Sequence, residues 1–239
     1  MKIIADLHTH TIASIHAYSS LQENIQQATQ MDMKYLGITD HAPGMTGTTH
    51  VNYFENMKVW KPEILGVRVF RGVECNICDE LGTLDLPNQY IDQMDYVIVS
   101  IHRPIFPSGL GAERNTNAVV KAIQHSKVRI IGHPDNGQYP FDYEKLVNEA
   151  KQNHVALELN NSSLTSYSAR INTRENALKY LALCKATGTY IAVNSDSHIF
   201  YDVANFSLAL ELLHSINFPE ELVVNSSKER LEAFLSIKL

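Results

Sequence analysis

Seven short runs of aliphatic and β-branched residues recur along this chain, and nearly every one leads into a histidine or a carboxylate. The runs lie at 2–6, 35–39, 67–73, 96–100, 128–132, 156–159 and 190–194. Most are continuously apolar rather than alternating, as strands covered on both faces are. The segments between them carry helical spacing. Ser20-Leu21-Gln22-Glu23 is a capping box that opens a helix to about Met31, and Ser226-Ser227-Lys228-Glu229 opens the last helix in the same way. Further helices are expected over 116–125, 143–153, 174–187 and 203–216, with Gly188 placed for a left-handed helix end. Strands alternating with helices imply βαβ units and a parallel sheet, closed as a barrel or open and doubly wound. A short eighth strand is expected at 222–225. No linker, charge run or repeat divides the chain, so residues 1–239 are read as one α/β domain. Two excursions, 43–60 and 79–86, leave the regular weave where function often resides.

The residues at the strand ends carry the chemistry. After the first strand come His8-Thr9-His10 and then His16; after the second, Asp40-His41. The third ends in Gly72-Val73-Glu74, the fourth in Ser100-Ile101-His102, the fifth in Gly132-His133-Pro134 and the sixth in Asn160-Asn161. The seventh gives Ser195-Asp196-Ser197-His198. In a (β/α) barrel these carboxyl ends converge on one face, where active sites sit. A lone histidine usually satisfies a local hydrogen bond. Nine polar groups in phase with the strands are a different matter. The other histidines break the phase: His50 lies in the first excursion, while His125, His154 and His214 fall near helix ends, where imidazolium meets the helix dipole favourably and a structural role is expected.

His8, His10, His16, His41, His102, His133 and His198, with Glu74 and Asp196, exceed the three protein ligands of an ordinary catalytic zinc ion. They suit two or three ions, with Glu74 as the bridge because its strand lies between those carrying the other ligands. Imidazole with carboxylate favours Zn2+, and Mn2+ or Fe2+ accept the same donors. Such a centre is strongly positive and attracts anions, and phosphate oxygens suit its open positions. A metal-bound hydroxide held by way of Glu74 and Asp196 would attack phosphorus while a neighbouring ion stabilises the departing alkoxide. Hydrolysis of a phosphoester, with a small phosphorylated molecule as substrate, is the leading expectation.

Composition narrows the alternatives. A net charge of −6 without a basic run makes a poor general nucleic-acid binder. No apolar run approaches the roughly 18–20 residues of a membrane helix, so no membrane partner is expected. The N-terminus turns polar before the apolar core of a signal peptide could form, and three cysteines are too few for a disulfide scaffold. A cytoplasmic location with reduced thiols is therefore expected.

The motifs Asp6-Leu7-His8-Thr9-His10, Ile38-Thr39-Asp40-His41, Arg71-Gly72-Val73-Glu74, His133-Pro134 and Ser195-Asp196-Ser197-His198 resemble the polymerase and histidinol phosphatase (PHP) family. With Ala13-Ser14-Ile15-His16-Ala17-Tyr18-Ser19 and Glu158-Leu159-Asn160-Asn161-Ser162-Ser163, the pattern is similar to the YcdX-like metal-dependent phosphatases over essentially the whole chain. The resemblance implies a distorted (β/α)7, TIM-like barrel with a trinuclear, usually zinc, centre. It gives one ion to His8, His10, Glu74 and Asp196, a second to Glu74, His102 and His133, and a third to His16, His41 and His198. It also implies action on small phosphate monoesters and allows for a homo-oligomer. One departure is Arg103, where the family pattern has an acidic residue; an exposed loop side chain is expected there.

Several other features carry less. Cys75-Asn76-Ile77-Cys78 is a lone CxxC with no second pair, and Gly109-Leu110-Gly111 lacks the residues of a phosphate loop. Asp6 and Asp40 could each orient a neighbouring imidazole or cap local backbone. An amidohydrolase-like enzyme would bridge its ions with a mid-barrel lysine, and Lys58, Lys61 and Lys121 are not at strand ends. A PHP-type nuclease and a non-catalytic metal-binding module complete the alternatives.

Overall fold

A computed structural model describes residues 1–238. Its parallel strands are β1 (Ala5–Asp6), β2 (Tyr35–Ile38), β4 (Val67–Asn76), β5 (Tyr96–Ser100), β6 (Val128–Ile131), β7 (Ala156–Asn160) and β8 (Ile191–Asn194), neighbours in that order. The short β3 (Glu63–Ile64) pairs antiparallel with β4. The helices are α1 (Leu21–Gln30), α2 (Val51–Asn56), α3 (Asn88–Ile91), α4 (Ala112–Ala122), α5 (Tyr143–Gln152), α6 (Thr173–Thr187), α7 (Ser207–Ser215) and α8 (Lys228–Leu235). The result is the expected, nearly closed seven-stranded parallel barrel. Among the described residues, no helix is long and apolar enough to cross a membrane.

The strands are apolar on both faces for two different reasons. Outward residues such as Val73, Val97, Val99, Leu157 and Val193 share a core with Ile25, Val119, Leu146 and Leu181 of the surrounding helices. Inward residues Phe70, Tyr96, Ile98, Ile130, Ala156 and Ala192 form a separate floor, sealed by Leu231, Phe234 and Leu235 of α8. Because side chains alternate along a strand, the inward face continues from that floor to Glu74, Ser100, Gly132, Glu158 and Asn194. The interior thus changes from apolar to polar halfway up. Tyr96 fills the floor and donates from its hydroxyl to Leu7 O (2.5 Å). It leaves no room at Gly37, where a Cβ would lie 1.8 Å from that hydroxyl.

The seam between β1 and β8 is closed by unusual means. Below, Asn225 stands in for a strand: its Nδ2 donates to Ala5 O (2.8 Å) and Val193 O (2.6 Å), and its Oδ1 accepts from Val193 N (3.1 Å). Above, Asp196 N donates to His8 O and His10 N to Ser197 O, both at 2.9 Å. The expected eighth strand at 222–225 is therefore absent. Two 3-10 turns, Glu220–Leu222 and Val224–Ser226, occupy that stretch, and Val223 alone bridges Ile191. One side-chain amide does the pairing that a strand would have done.

Other departures have local causes. The helix expected at 203–216 begins only at Ser207, because Ala204 turns at φ 63° to donate its N–H to buried Asp6 Oδ2 (2.9 Å). The helix expected from Thr116 starts earlier, at Ala112. The last helix is capped by Ser227, which accepts from Arg230 N, rather than by Ser226, whose hydroxyl donates to Val223 O (2.8 Å). The first excursion contains α2, and it is followed by the unexpected β3 hairpin, where Leu65 (φ 52°) and Gly66 (φ 77°) make a tight turn.

Candidate metal centre

His8 and His10 leave β1 two residues apart and so share a face. His41 follows β2, Glu74 lies near the end of β4, His102 and His133 follow β5 and β6, and Asp196 and His198 follow β8. His16 comes from the loop after β1. The fold brings all nine together. Glu74 Oε2 lies 3.4 Å from His8 Nε2, 3.5 Å from His10 Nε2 and 2.9 Å from His41 Nδ1. Its Oε1 lies 3.0 Å from His133 Nε2 and 3.4 Å from His102 Nε2. Asp196 Oδ1 faces His8 Nε2 (3.5 Å) and His10 Nε2 (3.3 Å), and His16 Nε2 meets His198 Nε2 at 2.9 Å. His133 and Asp196 take positive φ, 29° and 54°, conformations that persist only where the surroundings over-determine them.

The partners of the other ring nitrogens decide what these imidazoles present. His8 Nδ1 donates to Glu158 Oε1 (2.7 Å). His102 Nδ1 donates to Asn76 Oδ1 (2.8 Å), an amide whose Nδ2 is already committed to Asp85. His10 Nδ1 donates to Ser14 Oγ (3.1 Å), whose own proton goes to Asp40 Oδ1 (2.6 Å). His198 Nδ1 donates to the Asp196 carbonyl (3.1 Å). In each neutral ring Nε2 is therefore a bare lone pair. Yet His8 and His10 turn these lone pairs toward each other at 3.1 Å. Acceptors facing acceptors and carboxylates are repulsive unless a cation, a proton or a metal ion, lies among them. His41 Nδ1, buried without a hydrogen-bond partner, makes the same point.

The spacing also fits an ion. Tetrahedral coordination with bonds of about 2.0–2.1 Å sets ligands about 3.3 Å apart. His8, His10 and Glu74 form one grouping able to hold an ion, with separations of 3.1 to 3.5 Å, and Asp196 Oδ1 lies 3.3–3.5 Å from the two imidazoles. Further groupings able to hold an ion are His41 with Glu74 and His102, and His10 with His41 and His198. His41 thus faces Glu74 as well as the pair His16 and His198.

Electrostatics agree. Burial holds His10 well below the usual imidazole range, helped by His198 and His41, and it also lowers His102. Burial, with His198 and His41, brings His16 down to about 4. His8 goes the other way: burial opposes its charge, but Glu158, Asp196 and Glu74 outweigh that and raise it well above the usual value. Glu74 and Asp196 stay ionised despite burial because imidazoles, and for Asp196 also Arg170, surround them.

Several residues of the site have no signal in strand phase. Glu158, fully buried, orients His8 and also accepts from His133 N (2.7 Å). Its place two residues after Ala156 on the inward face was the available clue. Arg170, ten residues past β7, reaches back to Asp196 Oδ2 (2.9 Å), Ser163 Oγ (3.1 Å) and Asn160 Oδ1 (3.4 Å). Asp40 acts on His10 only through Ser14, and Asp6 touches no imidazole, binding Ser195 Oγ (2.5 Å) and backbone instead. Arg103 is exposed, Cys75 and Cys78 are free thiols, and burial raises both. His50 caps α2, and His125 Nδ1 accepts from Lys127 N (3.2 Å).

The sequence profile of the PHP domain matches residues 6–196. The chain belongs to the PHP family. Among PHP relatives, a probable phosphatase of Clostridium novyi is 40% identical over 238 residues, covering 100% of this chain and 96% of its own. A probable phosphatase of Caldanaerobacter subterraneus is 41% identical, covering 100% and 93%. In fold, the chain is similar to the histidinol phosphate phosphatase of Lactococcus lactis, crystallised with zinc, L-histidinol and phosphate. The TM-score is 0.63 at 18% identity, over 90% of this chain and 94% of the other. This PHP protein carries its clustered imidazoles and carboxylates at the carboxyl ends of the barrel strands.

Proposed function

We propose that this chain hydrolyses small phosphate monoesters at a centre of up to three divalent ions, zinc by preference. His8, His10, Glu74 and Asp196 would hold one ion, Glu74, His102 and His133 a second, and His16, His41 and His198 a third. The observation that carries the reading is the cluster of imidazole Nε2 atoms turned on one another, and on carboxylate oxygens, around Glu74. The phosphatase names of full-length relatives support it, as does the zinc and phosphate complex of a protein with the same fold.

Divalent ions in such a site supply Lewis acidity and lower the pKa of water. The chain's own residues do the rest. Glu158, Asn76 and Ser14 fix the ring orientations, so that no reorganisation is needed when charge develops. Arg170 fixes Asp196 from behind and adds a cation to the wall of the cavity, where an anionic ester would lie. Burial of Glu74 and Asp196 removes competing water from their oxygens.

Purified protein is expected to release phosphate from p-nitrophenyl phosphate, and to lose that activity on dialysis against a chelator. Glu74→Ala should abolish turnover and lower metal content together. Undiminished activity in that variant would overturn the assignment of Glu74 as the bridge.

A further inference from the structure

The cavity over the clustered ligands has a volume of about 360 Å³, at the small end for ligand sites. Arg170 and six of the nine ligand residues line it. Asn161, just after β7, and Asp202 and Asn205, at the approach to α7, also line it. Hydrogen bonds to α7 settle which way the two amides face. Asn161 Oδ1 accepts from Leu208 N (3.0 Å) and Ala209 N (3.1 Å). Asn205 Oδ1 accepts from Ser207 N (3.3 Å) and Ser207 Oγ (2.9 Å). Only the oxygen can accept, so each Nδ2 group is the end left over. The Asp202 carboxylate, on the 3-10 turn Phe200–Asp202, has no hydrogen bond or ion pair among the described residues. The cavity thus offers two amide donors and one charged acceptor, all unengaged.

That combination selects among leaving groups. An ammonium satisfies Asp202 and leaves both amides facing nothing. A second anion satisfies the amides and is repelled by Asp202. A flat aromatic group needs an apolar slot, and the apolar side chains of the lining are only Met45, Tyr167 and Ala169. A hydroxyl both donates and accepts, so neighbouring hydroxyls match a carboxylate and two amides together. We infer that the leaving group is polyhydroxylated: the substrate is a sugar or polyol monophosphate, with Asp202 accepting from, and Asn161 and Asn205 donating to, its hydroxyls. This rests on the phosphomonoesterase reading above.

The test compares kcat/KM for a hexose 6-phosphate, glycerol phosphate, ethanolamine phosphate and p-nitrophenyl phosphate in the wild-type protein, Asp202→Ala and Asp202→Asn. A hydrogen bond to a charged group corresponds to about 10- to 100-fold. Wild type should prefer the hexose phosphate to ethanolamine phosphate by at least that factor, and both variants should lose most of the preference. Calorimetric binding of the hexose phosphate should weaken in parallel, while the thermal midpoint stays within a degree or two. An equal or reversed preference overturns the inference and leaves the phosphatase reading standing. A preference that survives both substitutions overturns the role of Asp202. Failure of the wild type on every ester, p-nitrophenyl phosphate included, overturns the phosphatase reading and this inference with it.

Discussion

Glu158 and His8 meet at 2.7 Å inside the barrel, both fully buried, and the same carboxylate accepts from the backbone N–H of His133 at 2.7 Å. One side chain therefore sets the orientation of two groups on different strands. Partners of this kind typically contribute 10- to 100-fold to metal affinity or activity. Glu158→Gln should keep the fold but lower kcat/KM by about 10- to 100-fold, with metal retention falling in step. Steady-state kinetics with metal analysis of the same preparation checks both.

Arg170 is the cation on the cavity wall that is tied to Asp196. Lysine cannot reproduce its fork toward Asp196, Ser163 and Asn160. Arg170→Lys should lower kcat/KM for a phosphate ester by about tenfold and Arg170→Met by more, since an uncompensated buried carboxylate remains. Circular dichroism should show the fold intact in Arg170→Lys.

How much of this was legible beforehand differs from part to part. The strands announced themselves because each is buried on both faces, and the nine strand-end groups because they kept phase with those strands. Glu158 belongs to a motif but carries no sign of its role, since an acidic residue within an apolar run says nothing of what it faces. Arg170 was invisible for another reason: its loop has no periodicity, and its partners lie 7, 10 and 26 residues away in sequence. The eighth strand failed because Leu222–Asn225 has strand composition, whereas the seam needed only the amide of Asn225.

That amide gives a stability prediction. Asn225→Ala leaves Val193 N, Val193 O and Ala5 O without their partner in a buried seam. At about 1–3 kcal/mol for each unsatisfied group, partly relieved by relaxation, the loss should be about 3 kcal/mol. Denaturant unfolding of apo protein measures it.

The barrel floor gives another. Gly37→Ala sets a methyl 1.8 Å from the Tyr96 hydroxyl, and overpacking of this kind costs about 1–3 kcal/mol. The thermal midpoint should drop by about 3–10 °C. Adding Tyr96→Phe to Gly37→Ala should recover part of that loss, because it removes the clashing oxygen.

The central claim is that the lone pairs gathered around Glu74 belong to bound cations. Metal analysis of freshly purified protein, never exposed to chelator, tests this most directly. Two to three equivalents of divalent metal per chain, zinc foremost, are expected, falling in Glu74→Ala. Less than one equivalent in wild-type protein would contradict the account.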